Sequence, residues 1–339
     1  MTVNVGVIGA GMIGQTHIRR LADRVPGTRV VAVADVDSER AKRVAHAAGA
    51  RALGSGEDVI ADPKVDALIV TSWGPTHAQY VLAAIAAGKP VFCEKPLATT
   101  EEACRRIVDA EVAAGRRLVQ VGFMRRYDPG YRQMKALLDS GELGVPLLMH
   151  CAHRNPAVPE SYHSEMATQD TAVHELDVVR WLLSDEIIST QVVKPRSTTK
   201  KFAHLTDPQL MLFETASGVR VDLEVFVNCQ YGYDIQCETV AESGTVRLPD
   251  PAAVGVRQGA RVTTEVLQGW PERFAAAFDA EFAEWVASVA AGRITGPSAW
   301  DGYAVAVTSD ATVKALHSGR IEPVRLTEKP AFYSRGEQR

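Results

Sequence analysis

In the stretch QDTAVHELDVVRWLL, Asp170, His174 and Asp177 recur at i, i+4 and i+7. At 3.6 residues per turn that spacing stacks all three on one face of a helix. Such a row admits three readings. A hydrated face is the ordinary fate of helical charge, and it is the expectation for Glu175 and Arg180, which fall off the row. A metalloprotease site needs a second histidine four residues after the first, and that position is Val178. The third reading is a carboxylate and imidazole dyad for general acid/base work, with Asp170 tuning His174 one turn away. A neutral imidazole with a reference pKa near ~6.5 is a suitable base close to neutral pH.

A second chemical candidate is Lys95 in the run VFCEKP. It ends a strand-like segment at the position where open α/β sheets bind their ligands, and an ammonium there can hold a substrate oxygen as negative charge develops on it. A surface lysine closing a strand is the plainer alternative. The third candidate is GVIGAGMIG, in which Gly9, Gly11 and Gly14 have the G-x-G-x-x-G spacing between a strand and a helix. Asp35 follows about 20 residues later, at the end of a second strand. Gly9 suits the tight turn, Gly11 the approach of a pyrophosphate, and Gly14 close helix packing, while the helix N-terminus faces the phosphates. Asp35 would accept from the adenosine ribose hydroxyls and repel a 2'-phosphate, which favours NAD; the nearby cation Arg40 blurs that preference.

These groups need elements to hold them. Along the first third of the chain, VNVGVI, RVVAVAD, ALIVTS, PVFCEKP and RLVQVGF alternate with helical segments starting near Met12 and Ser38 and running through HAQYVLAAIAAG and EEACRRIVDAEVAAG. That alternation predicts a parallel sheet. After Phe123 the texture changes to a helix around YRQMKALLDSG, the run LLMHCAHRN, the helix quoted above, and then period-2 runs QLMLFETAS, VRVDLEVFVNCQ and YDIQCETVAE. The expected fold is therefore α/β: an N-terminal Rossmann dinucleotide-binding domain over residues 1–123 and a C-terminal α+β domain over 124–339 with a large, mostly antiparallel open sheet. Helix returns from about Glu272 to Ser318 and is expected to pack back across the domains. In MHCAHRN the period of 2 puts His153 and Asn155 on one face and His150 on the other, which argues against a zinc site. The same alternation pairs Tyr231 with Tyr233, and a core ring is the alternative for Tyr231.

The chain has 339 residues, 46% hydrophobic, with a formal net charge of −4. No basic run longer than pairs such as Arg116-Arg117 and Arg125-Arg126 offers a nucleic-acid or anionic-membrane surface, so small molecules are the expected partners. No stretch approaches the ~18 apolar residues of a membrane span, and the cytoplasm is the default expectation. Cys93, Cys104, Cys151, Cys229 and Cys237 are odd in number and lack CxxC spacing, and read as reduced thiols.

Taken together, GAGMIG, TSWGPTH, EKPL, VGFMRRYD, the DTAVHELDVVRWLL helix and NCQYGYDIQCE resemble the glucose-fructose oxidoreductase, inositol dehydrogenase and rhizopine-catabolism (Gfo/Idh/MocA) family over essentially the whole chain. The resemblance implies Lys95, Asp170 and His174 as the catalytic set, and His153, Asn155, Asp177, Tyr233 and Arg125 as polyol-binding residues. For the cofactor it implies Gly9, Gly11, Met12, Ile13, Asp35, Val36, Arg40, Thr71, Ser72, Trp73, His77, Glu94 and Lys95. Where the wider family often has Thr-Pro-Asn, this chain has Thr71-Ser72-Trp73, similar to the inositol branch. The implied activity is NAD-dependent oxidation of a cyclic polyol, myo-inositol at its axial hydroxyl being the expected substrate, with no metal. Scyllo-inositol, a pyranose, a redox-neutral NAD-dependent lyase or hydrolase, and a non-catalytic NAD-binding regulator stay open as alternatives. A homotetramer built through the open face of the second sheet is the implied assembly.

Overall fold

A computed structural model describes residues 2–334. The elements of the first part are β1 Val3–Ile8, α1 Met12–Asp23, β2 Thr28–Ala34, α2 Ser38–Ala47, β3 Arg51–Ala52, α3 Gly56–Ala61, β4 Ala67–Val70, α4 His77–Ala86, β5 Val91–Glu94, α5 Glu101–Ala114 and β6 Val119–Gly122. The strands form one all-parallel sheet in the order β3-β2-β1-β4-β5-β6. β4, β5 and β6 are buried at every residue, as expected for strands covered on both faces. The order reverses between β1 and β4, so the loops after those two strands open a crevice at their carboxyl ends. The short β3 and α3 have no counterpart in the sequence reading, because two and six residues are too few to show a period.

The second part comprises α6 Pro129–Ser140, β7 Pro146–Arg154, α7 Val173–Leu183, β8 Ile187–Val193, β9 Gln209–Thr215, β10 Arg220–Phe226, β11 Asp234–Ala241, β12 Gly244–Arg247, an exposed hairpin of β13 Val256–Gln258 and β14 Arg261–Thr263, α8 Trp270–Arg273, α9 Ala275–Ala290, α10 Ala299–Ser318, β15 Glu322–Pro323 and α11 Ala331–Ser334. Seven strands form a sheet in the order β12-β11-β7-β10-β9-β8-β15. Only the β7–β10 pair is parallel. β9 alternates strictly between buried and half-buried positions, the pattern of a sheet with one covered face.

Two compact units result. The first holds, of the described residues, 2–123 together with 278–306 and 326–334, and the second holds 124–277 and 307–325. A single run from 124 to 339 was expected. The difference has a packing cause: Phe282, Trp285 and Val286 of α9 are buried in the same core as Val5, Val7, Val33, Ile69 and Phe92 of the parallel sheet. The alternation over QYGYD also fails. Tyr231 is exposed while Tyr233 is buried, since Gln230 and Gly232 take positive φ values of 70° and 153° and β11 begins only at Asp234.

Candidate active site

The glycine turn of the first unit is shaped by close approach. Gly9 has φ +103°, and a Cβ there would lie 2.5 Å from the Ser72 backbone nitrogen. A Cβ on Gly14 would overlap the Gly9 carbonyl, whereas one on Gly11 would meet nothing within 4 Å. Gly9 and Gly14 thus close the turn against the β4 loop, and Gly11 leaves the space in front of α1 open. The α1 N-terminus has no side-chain cap, so its N–H groups are available to an anion. Thr71 Oγ1 donates to the Gly9 carbonyl at 2.7 Å and ties the two loops together.

Three large apolar side chains around this crevice, Met12, Val36 and Trp73, are 72%, 101% and 77% exposed. Apolar groups left this open at a crevice are what a nucleotide covers on binding. Ile13 beside them is half-buried. Asp35 accepts from the Ala10 N–H at 2.6 Å, the Asp37 N–H at 2.8 Å and Arg40 Nη2 at 2.9 Å. Burial opposes its charge, but the two backbone bonds and Arg40 together hold its carboxyl below the usual carboxylate range. The residues present therefore fit a dinucleotide, with Asp35 ionised at the ribose end.

Below Lys95 lies an arrangement that sequence reasoning missed. Arg20 Nη1 donates to His17 Nδ1 at 3.0 Å, so the ring proton sits on Nε2, which donates to Glu94 Oε1 at 2.7 Å. The second Glu94 oxygen accepts the Lys95 N–H at 3.1 Å. Arg20 itself is anchored on Asp279. Glu94, expected to touch the cofactor, is buried, with one oxygen on the His17 ring and the other on the Lys95 N–H. His77 is likewise buried, its ring nitrogens 2.7 Å and 2.9 Å from the carbonyl oxygens of Pro96 and Ser72. Both ring nitrogens thus face the backbone of the two loops that His77 joins.

In the second unit, the polar row of the quoted helix is not one face. Residues 167–172 form a π-helical turn, and α7 proper starts at Val173. The wider turn breaks the 3.6-residue spacing between Asp170 and His174. Asp170 is exposed, His174 half-buried, and Asp177 completely buried. From Val173 to Arg180 only His174 is not buried, so the imidazole is the one group this segment of the helix presents.

The expectation that Glu175 and Arg180 are hydrated is wrong. Glu175 accepts a very short hydrogen bond from Arg125 Nη1 and lies 3.0 Å from His153 Nδ1. Arg180 is paired with Glu186. Asp177, expected to bind substrate, is held by Arg126 through two bonds of 2.8 Å and 2.5 Å. With no exposure and both oxygens engaged, it serves as a counter-ion to Arg126 in this structure. A helix enclosed on all sides must pair every charge it carries.

The other expected polyol ligands sit close by. Arg125 is 1% exposed and lies over the Phe274 ring at 5.5 Å. His153, at the end of β7, stands edge-on to Tyr233 at 5.7 Å, and Asn155 is half-buried immediately beyond that strand. Burial, opposed chiefly by the Arg125 charge, pushes the Tyr233 phenol up to about 12, so it is a neutral hydroxyl. His150 points the other way and pairs with Asp222. Among the described residues no group of three His, Cys, Asp or Glu side chains is placed to hold a metal.

The family's sequence profiles match both units. An oxidoreductase-family, NAD-binding Rossmann fold profile covers residues 3–123, and the oxidoreductase-family C-terminal alpha/beta domain profile covers residues 135–326. The chain belongs to the Gfo/Idh/MocA oxidoreductase family. It is 64% identical to inositol 2-dehydrogenase 3 of Saccharopolyspora erythraea over 338 residues, all of both chains. It is 58% identical to inositol 2-dehydrogenase of Burkholderia lata over 335 residues, 98% of this chain and 99% of that one. Its fold is similar to a crystal structure of myo-inositol dehydrogenase from Lactobacillus casei in complex with NAD(H) and myo-inositol. The TM-score is 0.96 at 39% identity, over 98% of this chain and 100% of that one. No helix among the described residues is long and apolar enough to cross a membrane.

Proposed function

We propose that the protein is an NAD-dependent dehydrogenase that oxidises myo-inositol at its axial 2-hydroxyl to the 2-keto compound, scyllo-inosose. The observation that carries this reading is the likeness to inositol 2-dehydrogenases along the whole chain. When bound, NAD takes the hydride from the ring carbon.

The chain's own residues supply the rest. His174, the one uncovered group of its helix segment, takes the hydroxyl proton as general base. Lys95, its backbone pinned by Glu94, stabilises the negative charge developing on that oxygen. Asp170 bonds a substrate hydroxyl or Lys95. The hydrogen-bonding groups His153, Asn155 and Tyr233 suit a ring carrying hydroxyls all round, since leaving buried polar groups unpaired is costly. Assembly of four copies through the open face of the second sheet, and residence in the cytoplasm, belong to the same reading; light scattering of the purified protein checks the first.

The test is a panel of polyols with NAD followed at the NADH absorbance. Myo-inositol should give the highest kcat/KM, ahead of scyllo-inositol, glucose, deoxygenated ring analogues and small aliphatic alcohols. NADH from glucose but not from myo-inositol would overturn the substrate and leave the dehydrogenase. Turnover without net NADH would point to a redox-neutral lyase or hydrolase instead.

A further inference from the structure

Glu175 lies beside the proposed base His174 yet is 2% exposed, and it joins two other side chains of the second unit. Arg125 Nη1 donates to one carboxylate oxygen, and His153 Nδ1 lies 3.0 Å from the carboxylate. A carboxylate oxygen can only accept. If Nδ1 carried a lone pair, two electron-rich atoms would face each other at hydrogen-bond distance in a dry interior, where such a contact is most unfavourable. Arg125 Nη2 stands 3.1 Å from the same Nδ1 and competes to donate to it. Both contacts are charge-assisted, but Arg125 keeps its bond to Glu175 with either tautomer, whereas only an Nδ1–H gives the buried carboxylate its second donor, and that decides the contest.

We propose that Glu175 is a specificity-determining positioning residue: it locks His153 with the proton on Nδ1, so that Nε2 presents a lone pair and reads a substrate hydroxyl as a hydrogen-bond donor. This rests on the inositol reading above and on His153 meeting the substrate. The consequence is a polarity at one point of the ring. A hydroxyl there satisfies the site because it has a proton to give. A fluorine of similar size does not, because it can at best accept.

The experiment measures kcat/KM with NAD for myo-inositol and for a set of its monodeoxy-monofluoro analogues, in the wild type and in Glu175→Gln. In the wild type one ring position should show a loss of about tenfold or more on replacing hydroxyl by fluorine, the scale of one lost matched hydrogen bond. In Glu175→Gln the amide can donate to Nδ1 and turn the ring to the Nε2–H form. The hydroxyl-to-fluorine ratio at that position should therefore narrow at least fivefold, while the KM for NAD stays within twofold. A purely structural role lowers kcat/KM for all analogues by a common factor and leaves the ratio unmoved, and that result overturns the proposal.

The 15N shifts of the His153 ring, assigned with His153→Gln, report the tautomer independently of turnover. A proton on Nδ1 in the wild type is expected; a proton on Nε2 alone overturns the proposal even where Glu175→Gln does not fold. A wild type that oxidises no inositol sinks the substrate reading, and the ring shifts still decide the tautomer.

Discussion

His17 and Glu94 meet at 2.7 Å in the interior of the first unit, 77 residues apart in sequence, and the carboxylate they share with the Lys95 N–H fixes where the lysine leaves its strand. His17 is the third residue after Gly14 on α1, so the helix that opens at the dinucleotide turn also reaches the foot of the candidate catalytic lysine. Removing the imidazole leaves an ionised carboxylate buried with one of its partners missing. His17→Ala should therefore lose about 3 kcal/mol of stability, the scale of a broken buried pair, read by denaturant unfolding. His17→Asn should recover part of both stability and kcat. Unchanged stability in the alanine variant would mean that Glu94 is held by its other contacts alone.

The same pair sets a pH dependence whose sign can be worked out. Burial holds the His17 imidazole below its ordinary value of 6.5, so the stability it contributes is fully present above 6.5 and is lost as pH falls below it. Glu94 and Glu175 are pushed up by burial but pulled further down, Glu94 chiefly by the His17 hydrogen bond and Glu175 chiefly by the Arg125 charge. Their contributions persist above 4.5 and are lost as pH falls through the depressed values. Tm should thus decline in two limbs, one starting near 6.5 and a steeper one below 4.5. In His17→Gln the first limb should flatten and the second remain; a first limb of undiminished size assigns it to another histidine.

For the cofactor, Asp35 favours free ribose hydroxyls and repels a phosphate dianion, so NAD should exceed NADP clearly in kcat/KM. Arg40 is at present engaged by Asp35 at 2.9 Å. Asp35→Ser removes the repulsion and releases that guanidinium toward a 2'-phosphate, and the NAD to NADP ratio should fall by tenfold or more. Equal use of the two cofactors by the wild type would contradict the role given to Asp35.

Much of this was legible in the sequence because it rests on short-range rules. The strand, Gly-rich turn and helix around Gly9, Gly11 and Gly14, the chemistry of Asp35, and the shift from parallel to period-2 strands after Phe123 each follow from local spacing. What was not legible is the pairing of charge over long separations. Glu175 read as hydrated surface and Asp177 as a polyol ligand, because their partners Arg125 and Arg126 lie about 50 residues upstream. One local signal was present: VHELDVVRWLL has apolar residues on all sides, which marks a buried helix, and a buried helix cannot leave charge unpaired. The π-helical turn at Ala167–Ala172 was hidden for a different reason, since a single turn leaves no period to detect.

The chemistry assigned to Lys95 and His174 is open to direct test. Lys95→Ala and His174→Ala should each lower kcat by roughly a hundredfold or more, the scale of lost charge stabilisation and of lost general base catalysis. NAD binding, followed by fluorescence titration, should survive in the His174 variant. Near-normal turnover there would return the imidazole to the role of a half-buried surface group.

The role of Asp177 separates the two accounts of the quoted helix. If its carboxylate served the substrate, every change at this position would raise the KM for the polyol. The geometry instead engages both of its oxygens with Arg126, through two bonds and without exposure. Asp177→Leu alone should then be strongly destabilising, by about 3 to 5 kcal/mol, because it strands the Arg126 cation. Adding Arg126→Met removes the stranded charge and should recover most of that loss, since an apolar pair of similar volume often replaces a buried ion pair at little cost. The double variant should bind the polyol with a KM within a few fold of the wild type. A KM raised tenfold or more in a stably folded double variant would put Asp177 back among the substrate-binding residues.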